Sequence, residues 1–388
     1  MNDTSTTHIS WKDYGYLTCT LFAITCLQQG KMVGYLAVCL GLLGIGLLWR
    51  LWKYPRISKR PSWFTVWICC LWGYIFVNGF LSSAYFGWRT LLIYMLPVIC
   101  IMIFYTPYRD REMLWQIFRT ACVWAAVLFL GYIMLFELSN ILSGSIRIGD
   151  SASGNVNRVA INLCYLAVVI FYSILFEGKR RLIPLLLVMF GFILLTGSKK
   201  GLLGSVFVLG LLSVWRYKWR VYQYAIPVVV LLVLGYFLSH NEYIYNILGK
   251  RLDVFYHTLT GEEVGGSTSQ RIGMYQLGWI YFKQAPILGN GMGYFAQTSI
   301  YQTYSHNNYI ELLVSCGLCG FFLYYSFFVC LLKKGWNLAK SYPVSYVFIS
   351  LIILRLVFDF AAIAFYTDAL FYILLFFGYQ ILRSSEKL

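Results

Sequence analysis

Charge is what this chain of 388 residues has least of. Charged residues make up 12% of it, against about 25% in an ordinary soluble domain, while 60% of residues are hydrophobic and mean hydropathy is +0.67. That deficit excludes a water-soluble core and predicts an all-α polytopic membrane protein. Acids are the scarcer sign, 15 against 31 bases, which leaves a net charge of +16. Histidine is almost missing, with four residues in all. The eleven cysteines lie nearly all within apolar runs and the longest polar loop has none, which argues against a disulfide framework. Cys316 and Cys319 form a C-x-x-C, but on an apolar helix without a second pair, so a metal or redox centre has little support, and no cofactor is implied. The first thirteen residues are polar, and the next segment reads as a retained membrane helix with no small-residue cleavage site. No internal repeat and no soluble second domain is evident, so residues 1–388 read as one integral membrane domain.

A hydrocarbon core about 30 Å thick takes roughly 17–25 apolar residues per helix. Twelve segments answer to that: 14–29, 32–51, 62–80, 88–105, 114–137, 157–176, 181–196, 201–215, 223–239, 307–332, 344–361 and 366–384. With the N-terminus in the cytoplasm, nineteen of the 31 Lys and Arg fall on the inner side, ten on the outer side, and Arg119 and Arg355 within helices. The inner clusters sit in short loops, where the positive-inside rule is most reliable, so both termini are expected to be cytoplasmic. Much of the net charge is then topology signal and contact with membrane lipids, with no nucleic-acid partner. The connection 240–306, between the ninth and tenth spans, becomes a long extracytoplasmic loop. Its opening, Tyr243 to Leu259, has the amphipathic character of a segment lying on the membrane surface. Gly265-Gly266 reads as a flexible break, and Ser269 as the cap of a short helix over 270–284 that ends before Pro286.

Outward-facing cations are costly near hydrocarbon unless a counter-ion or a wet cavity receives them. Arg147 and Arg158 flank an outer loop containing Asn155 and Asn157, and Lys199 and Lys200 sit in the turn Thr196-Gly197-Ser198-Lys199-Lys200-Gly201. Such a cluster suits a phosphorylated lipid headgroup, gripped by guanidinium forks or ammonium point charges. The plainer reading, snorkelling toward lipid phosphates, fits Arg89 better and stays open for Arg147 and Arg158. His306 follows the long outer loop and stands at the mouth of a predicted helix, with Asn307 and Glu311 close behind. A neutral imidazole there can act as a general base near pH 7; the alternative is a local cap. His240 and His257 read as surface residues, and His8 belongs to the cytoplasmic tail. Arg355 and Asp359 are one helical turn apart and predict an intrahelical ion pair, while Asp368, like Asp359, lies near an outer helix end.

Taken together, Arg271 with Trp279, Pro286-x-x-Gly289-x-Gly291-x-Gly293, and His306-Asn307 followed by Gly317-x-x-Gly320 resemble the bacterial O-antigen polymerase and O-antigen ligase superfamily. Gly197-Ser198-Lys199-Lys200-Gly201 looks like that family's Ser-Arg/Lys-Gly turn, with lysine where arginine is common. Asn155-Val156-Asn157 looks like its Asn-Pro-Asn segment with valine for proline. The resemblance covers about residues 140–330. It implies a GT-C-like bundle in the bacterial inner membrane and a metal-independent, inverting glycosyl transfer from an undecaprenyl-diphosphate-linked oligosaccharide. It further implies that His306 is the base on the acceptor hydroxyl. Arg271, Lys199 and Lys200, joined by Arg147 and Arg158, would hold the diphosphate, with Asn307, Glu311, Asn155 and Asn157 in support. A polymerase accepts a second lipid-linked repeat unit and has a chain-length regulator as a candidate partner; a ligase accepts lipid A–core. A lipid-linked oligosaccharide flippase is the competing class. It should carry charges deep within many helices, whereas the basic residues here sit mostly at the ends of spans.

Overall fold

The computed structural model describes residues 9–27, 32–53, 61–81, 88–142, 155–218 and 267–383. The segments expected at 223–239 and 243–259, together with Arg147, His8, His240 and His257, lie outside the described residues, as does the side chain of Arg89.

Among the described residues the chain is helical and contains no strand. The helices are α1 (Trp11–Phe22, continued by a π turn to Leu27), α2 (Met32–Lys53), α3 (Trp63–Leu81), α4 (Trp88–Tyr105), α5 (Arg111–Leu142), α6 (Val156–Glu177) and α7 (Ile183–Leu195). They continue with α8 (Lys199–Tyr217), α9 (Ser267–Gln284), the single turn α10 (Tyr294–Thr298), α11 (Asn308–Leu338), α12 (Ser345–Asp359) and α13 (Ala369–Arg383). Helices overlie every described apolar segment. Five of them, α2, α3, α5, α6 and α11, are both long and apolar enough to cross a bilayer. The short helix expected over 270–284 begins at Ser267, so Ser269 lies inside its first turn and does not cap it.

Helix α13 is the central post. Every residue from Ala369 to Leu382 is buried, and it packs against α4, α5, α11 and α12. A helix apolar all round has no face left for solvent, so the other helices must surround it. The outer surface is apolar too: Leu48, Trp52, Phe80 and Leu135 are 69%, 79%, 74% and 81% exposed. In water such a surface would aggregate; in a bilayer it is the normal exterior. Small residues set the closest approaches, since with lipid outside the driving force for association is packing. A Cβ on Gly201 would meet Ala160 at 2.6 Å, and one on Gly204 would meet Phe358 at 2.6 Å. Glycine there lets α8 lie directly on α6 and α12.

Helix α11 is broken at Gly317 (φ 60°, ψ −165°). The break would orphan backbone groups in an apolar layer, which a membrane does not forgive. The segment after Pro286 answers all four. Asn290 and Gly291 donate their N–H groups to the carbonyls of Val314 (2.8 Å) and Ser315 (3.0 Å). The carbonyls of Pro286 and Ile287 accept from Leu318 (2.8 Å) and Cys319 (3.0 Å). Gly289 and Gly291 adopt positive φ there, at 82° and 102°. From α3, Tyr74 and Asn78 donate to the carbonyl of Leu288. The Pro-x-x-Gly-x-Gly-x-Gly signature is therefore a plug that fits a broken helix.

Residues assigned by charge to one side of the membrane gather at one end of the bundle. At one end, Glu177 pairs with Arg119 at 2.7 Å, Arg216 donates to the carbonyl of Leu175, and Trp215 stacks on Tyr346 at 4.7 Å. At the other end lie Asn155, Ser198, Arg271, His306 and the α12–α13 connection.

Candidate active site

A cavity of about 180 Å³ opens at this second end, where the N-termini of α6, α8 and α11 meet the α12–α13 connection. Its walls carry Asn155, Asn157, Arg158, Lys200, Arg271, Tyr304, His306, Arg355 and Asp368. Each helix start is closed by a side-chain cap. Asn155 Oδ1 accepts from the N–H of Arg158 at 3.2 Å, Ser198 Oγ from Gly201 at 3.3 Å, and Asn307 Oδ1 from Tyr309 at 2.9 Å and Ile310 at 3.1 Å. Asn157 ties two of these ends together by accepting from Ser198 Oγ at 2.9 Å. Three helix N-termini aimed at one hollow present partial positive charge to it, the arrangement that receives anions.

His306 sits in the left-handed region at φ 56°, a conformation histidine adopts more readily than most residues but still at a cost. The turn is held from below. Buried Glu311 accepts from the N–H of Ser305 at 2.8 Å, and Ser305 Oγ donates to the carbonyl of Asn307 at 3.0 Å. Tyr304 packs on the imidazole, ring centroids 4.3 Å apart. Burial first, then the cations of Arg271 and Lys200, push the His306 imidazole down to about 4. It is neutral at pH 7 and free to take a proton. Lys200, just ahead of the apolar run 201–215, is pushed down to about 7 by burial, then by Arg271 and Arg355. Its ammonium donates to the carbonyl of Ala361.

The cations differ in how fully they are already paired. Arg355 is 1% exposed and spent: it pairs with Asp359 at 2.5 Å, as its spacing predicts, and with Asp368 at 2.8 Å, and donates to Tyr165. Arg158 donates to the carbonyl of Thr367 at 3.0 Å and reaches Asp368 at 3.7 Å. Arg271, in the second turn of α9, has no hydrogen bond or ion pair among the described residues, yet lies close enough to depress both His306 and Lys200. Its guanidinium is the one best placed to take a ligand anion.

The expected site therefore assembles with two corrections. Lys199 is exposed and does not line the cavity; it opens α8, and its neighbour Lys200, about 100° further round the helix, is the one that turns in. Asn307 and Glu311 support the His306 turn from outside the cavity wall. Sequence reasoning missed Tyr304, which has no motif, and Asn308, whose Oδ1 accepts from Ala364 (2.7 Å) and Phe365 (3.0 Å) and clamps α11 to the α12–α13 connection. It also read Asp368 only as an acid near a helix end, since its partner lies in a different helix.

No curated protein matches the chain. A sequence model of the family Wzy_C, described as O-antigen ligase, matches residues 184–325. The matched stretch runs from α7 to the middle of α11 and contains Lys200, Arg271, the glycine plug, His306, Asn307 and Glu311.

Proposed function

We propose that this chain, whose residues 184–325 place it in the O-antigen ligase and polymerase superfamily, is a surface-polysaccharide polymerase acting at the outer face of the bacterial inner membrane. The donor is an oligosaccharide on undecaprenyl diphosphate, and the acceptor is a second lipid-linked repeat unit. Twelve spans with both termini in the cytoplasm put the cavity at the outer leaflet, where the donor's diphosphate resides. The observation that carries this reading is the convergence of His306, Arg271, Lys200 and Arg158 on one cavity fed by three helix N-termini.

The chemistry follows from the charges. The acceptor hydroxyl oxygen attacks the anomeric carbon from the face opposite the diphosphate and inverts it. Its proton passes to the neutral His306 imidazole. The bond from the anomeric carbon to the diphosphate oxygen breaks, and the diphosphate leaves with the electron pair. Charge grows on that oxygen in the transition state, and preorganised cations in a site shielded from water stabilise it. Arg271 is the leading group for this, with Lys200 beside it and Arg158 holding the rim. Loss of a positioned general base costs about 10²–10⁴-fold in rate.

Ligation to lipid A–core is the second reading, favoured by the description of the matching family. Transport is disfavoured by the floor of the cavity, where Arg355, Asp359 and Asp368 neutralise one another. The test is the surface glycan made by cells carrying His306→Ala. Loss of long chains with single repeats still attached to lipid A–core supports polymerisation. Loss of both products supports ligation or transport. Unchanged long chains remove His306 from the mechanism.

A further inference from the structure

The opposite end of the bundle holds a second, larger hollow of about 590 Å³, outside the region the family match covers and unused by the chemistry above. It lies where α5 passes the connection from α6 to α7, and its mouth carries Arg119, Lys179, Arg180 and Arg181. Glu177 neutralises Arg119 at 2.7 Å and also accepts from Trp115 Nε1 at 2.5 Å, which fixes that corner. Gly178 turns the chain at φ 70°, and the following turn presents Arg180 and Arg181, both exposed, with Lys179 half-buried between them and Arg119. Three cations thus stand at the mouth with no acid among its lining residues.

Behind the mouth the walls turn apolar. Val123 lines the hollow, and four residues on, along the same face of α5, Val127 is 41% exposed. Helix α7 leaves the mouth in the same direction as α5 and packs against it; its Leu187 and Val188 are 64% and 49% exposed. A cationic mouth above an exposed apolar track matches a molecule with a phosphate at one end and acyl chains at the other. A soluble phosphate would have no use for the track, and a neutral lipid none for the cations.

We propose that this hollow is a binding site for an anionic phospholipid, taken from the leaflet opposite the one that supplies the glycan donor. The phosphodiester sits among Lys179, Arg180 and Arg181, and its acyl chains lie along α5 and α7. Burial, then the neighbouring Arg119, lowers the Lys179 ammonium, and a bound phosphate relieves that repulsion. The site is independent of the acceptor specificity argued above, because none of its lining residues lines the active-site cavity.

The test uses the full-length protein in neutral detergent, with native mass spectrometry reading retained phosphatidylglycerol against phosphatidylcholine. Each basic residue near an anionic headgroup contributes about fivefold in affinity, so Arg180→Gln with Arg181→Gln should weaken phosphatidylglycerol binding by about twentyfold. Both side chains are exposed, so the variant should keep its unfolding temperature. Phosphatidylcholine should be retained poorly by both proteins, and inorganic phosphate should not displace phosphatidylglycerol. Equal retention of the two lipids, or an unchanged affinity in a folded double variant, overturns the site. Full displacement by inorganic phosphate overturns the lipid assignment. A second variant, Leu187→Asn, should weaken phosphatidylglycerol binding while leaving the cations in place, and no effect there refutes the acyl track.

Discussion

Gly317→Ala offers a sharp test of the plugged helix. Gly317 has φ 60° and ψ −165°, a region essentially reserved for glycine. A Cβ there would lie 2.3 Å from the carbonyl oxygen of Ile287 and 2.6 Å from the N–H nitrogen of Gly289. Both contacts are backbone, so no side chain can swing away. Forcing alanine into that conformation costs about 1–3 kcal/mol. If the plug withdraws to relieve the overlap, four backbone hydrogen bonds go with it, each worth about 0.5–1.5 kcal/mol. A loss of at least about 3 kcal/mol follows, a large share of a typical net stability of about 5–15 kcal/mol. The control is Gly41→Ala in α2, where a Cβ meets nothing within 4 Å and alanine favours the helix. Thermal unfolding of the purified protein in detergent, followed by tryptophan fluorescence, reads both. Gly317→Ala should unfold many degrees below wild type and Gly41→Ala at or above it. Equal unfolding temperatures for the two variants would refute the plug.

Other outcomes follow from the cavity. Because burial and cations hold Lys200 near 7 and His306 near 4, an arriving diphosphate must favour their protonated forms. Donor binding at pH 7.5 should therefore take up protons, read by calorimetry in buffers of different ionisation enthalpy; proton release would contradict the assignment. The acid limb of kcat/KM should lie below the ordinary imidazole value of about 6.5, and Lys200→Met should move it upward, since one depressing cation is gone; an unmoved limb excludes coupling between the two. Arg271→Lys keeps the charge but loses the fork, and should cost about tenfold or more in chain elongation; full activity in a quantified chain-length assay rules out a bidentate grip. Asn307→Ala removes the cap of α11 beside His306, at a cost of about 1 kcal/mol in stability, and should lower kcat, with Asn307→Asp restoring it. Failure of the aspartate to rescue would separate the cap from catalysis.

Much of this was legible in the sequence because a membrane imposes simple rules. Apolar length marked the helices, and Lys and Arg counts sorted the loops into two sets that gather at opposite ends of the bundle. The residues His306, Arg271, Lys200 and Arg158 stood out because charge is rare here and each sat at a helix end. What remained hidden depends on rotation and on long-range pairing. Nothing in two adjacent lysines says which one faces inward; the exact start of α8 decides it. Asn308 and Asp368 acquire meaning only when α11, α12 and α13 come together, 56 and 13 residues away from their respective partners in the chain. The glycine run was readable as a turn, but its partner, the break at Gly317, lies outside it and is visible only in three dimensions.

The central claim is that one hydrated pocket holds both the base and the diphosphate-binding cations. Purified protein in nanodiscs, supplied with an undecaprenyl-diphosphate-linked repeat unit, allows donor binding and release of undecaprenyl diphosphate to be measured side by side. His306→Ala should bind donor as wild type does yet release undecaprenyl diphosphate about 10²–10⁴-fold more slowly, whereas Arg271→Gln should lose both binding and release. Wild-type release by His306→Ala, or undiminished donor binding by Arg271→Gln, would contradict the account.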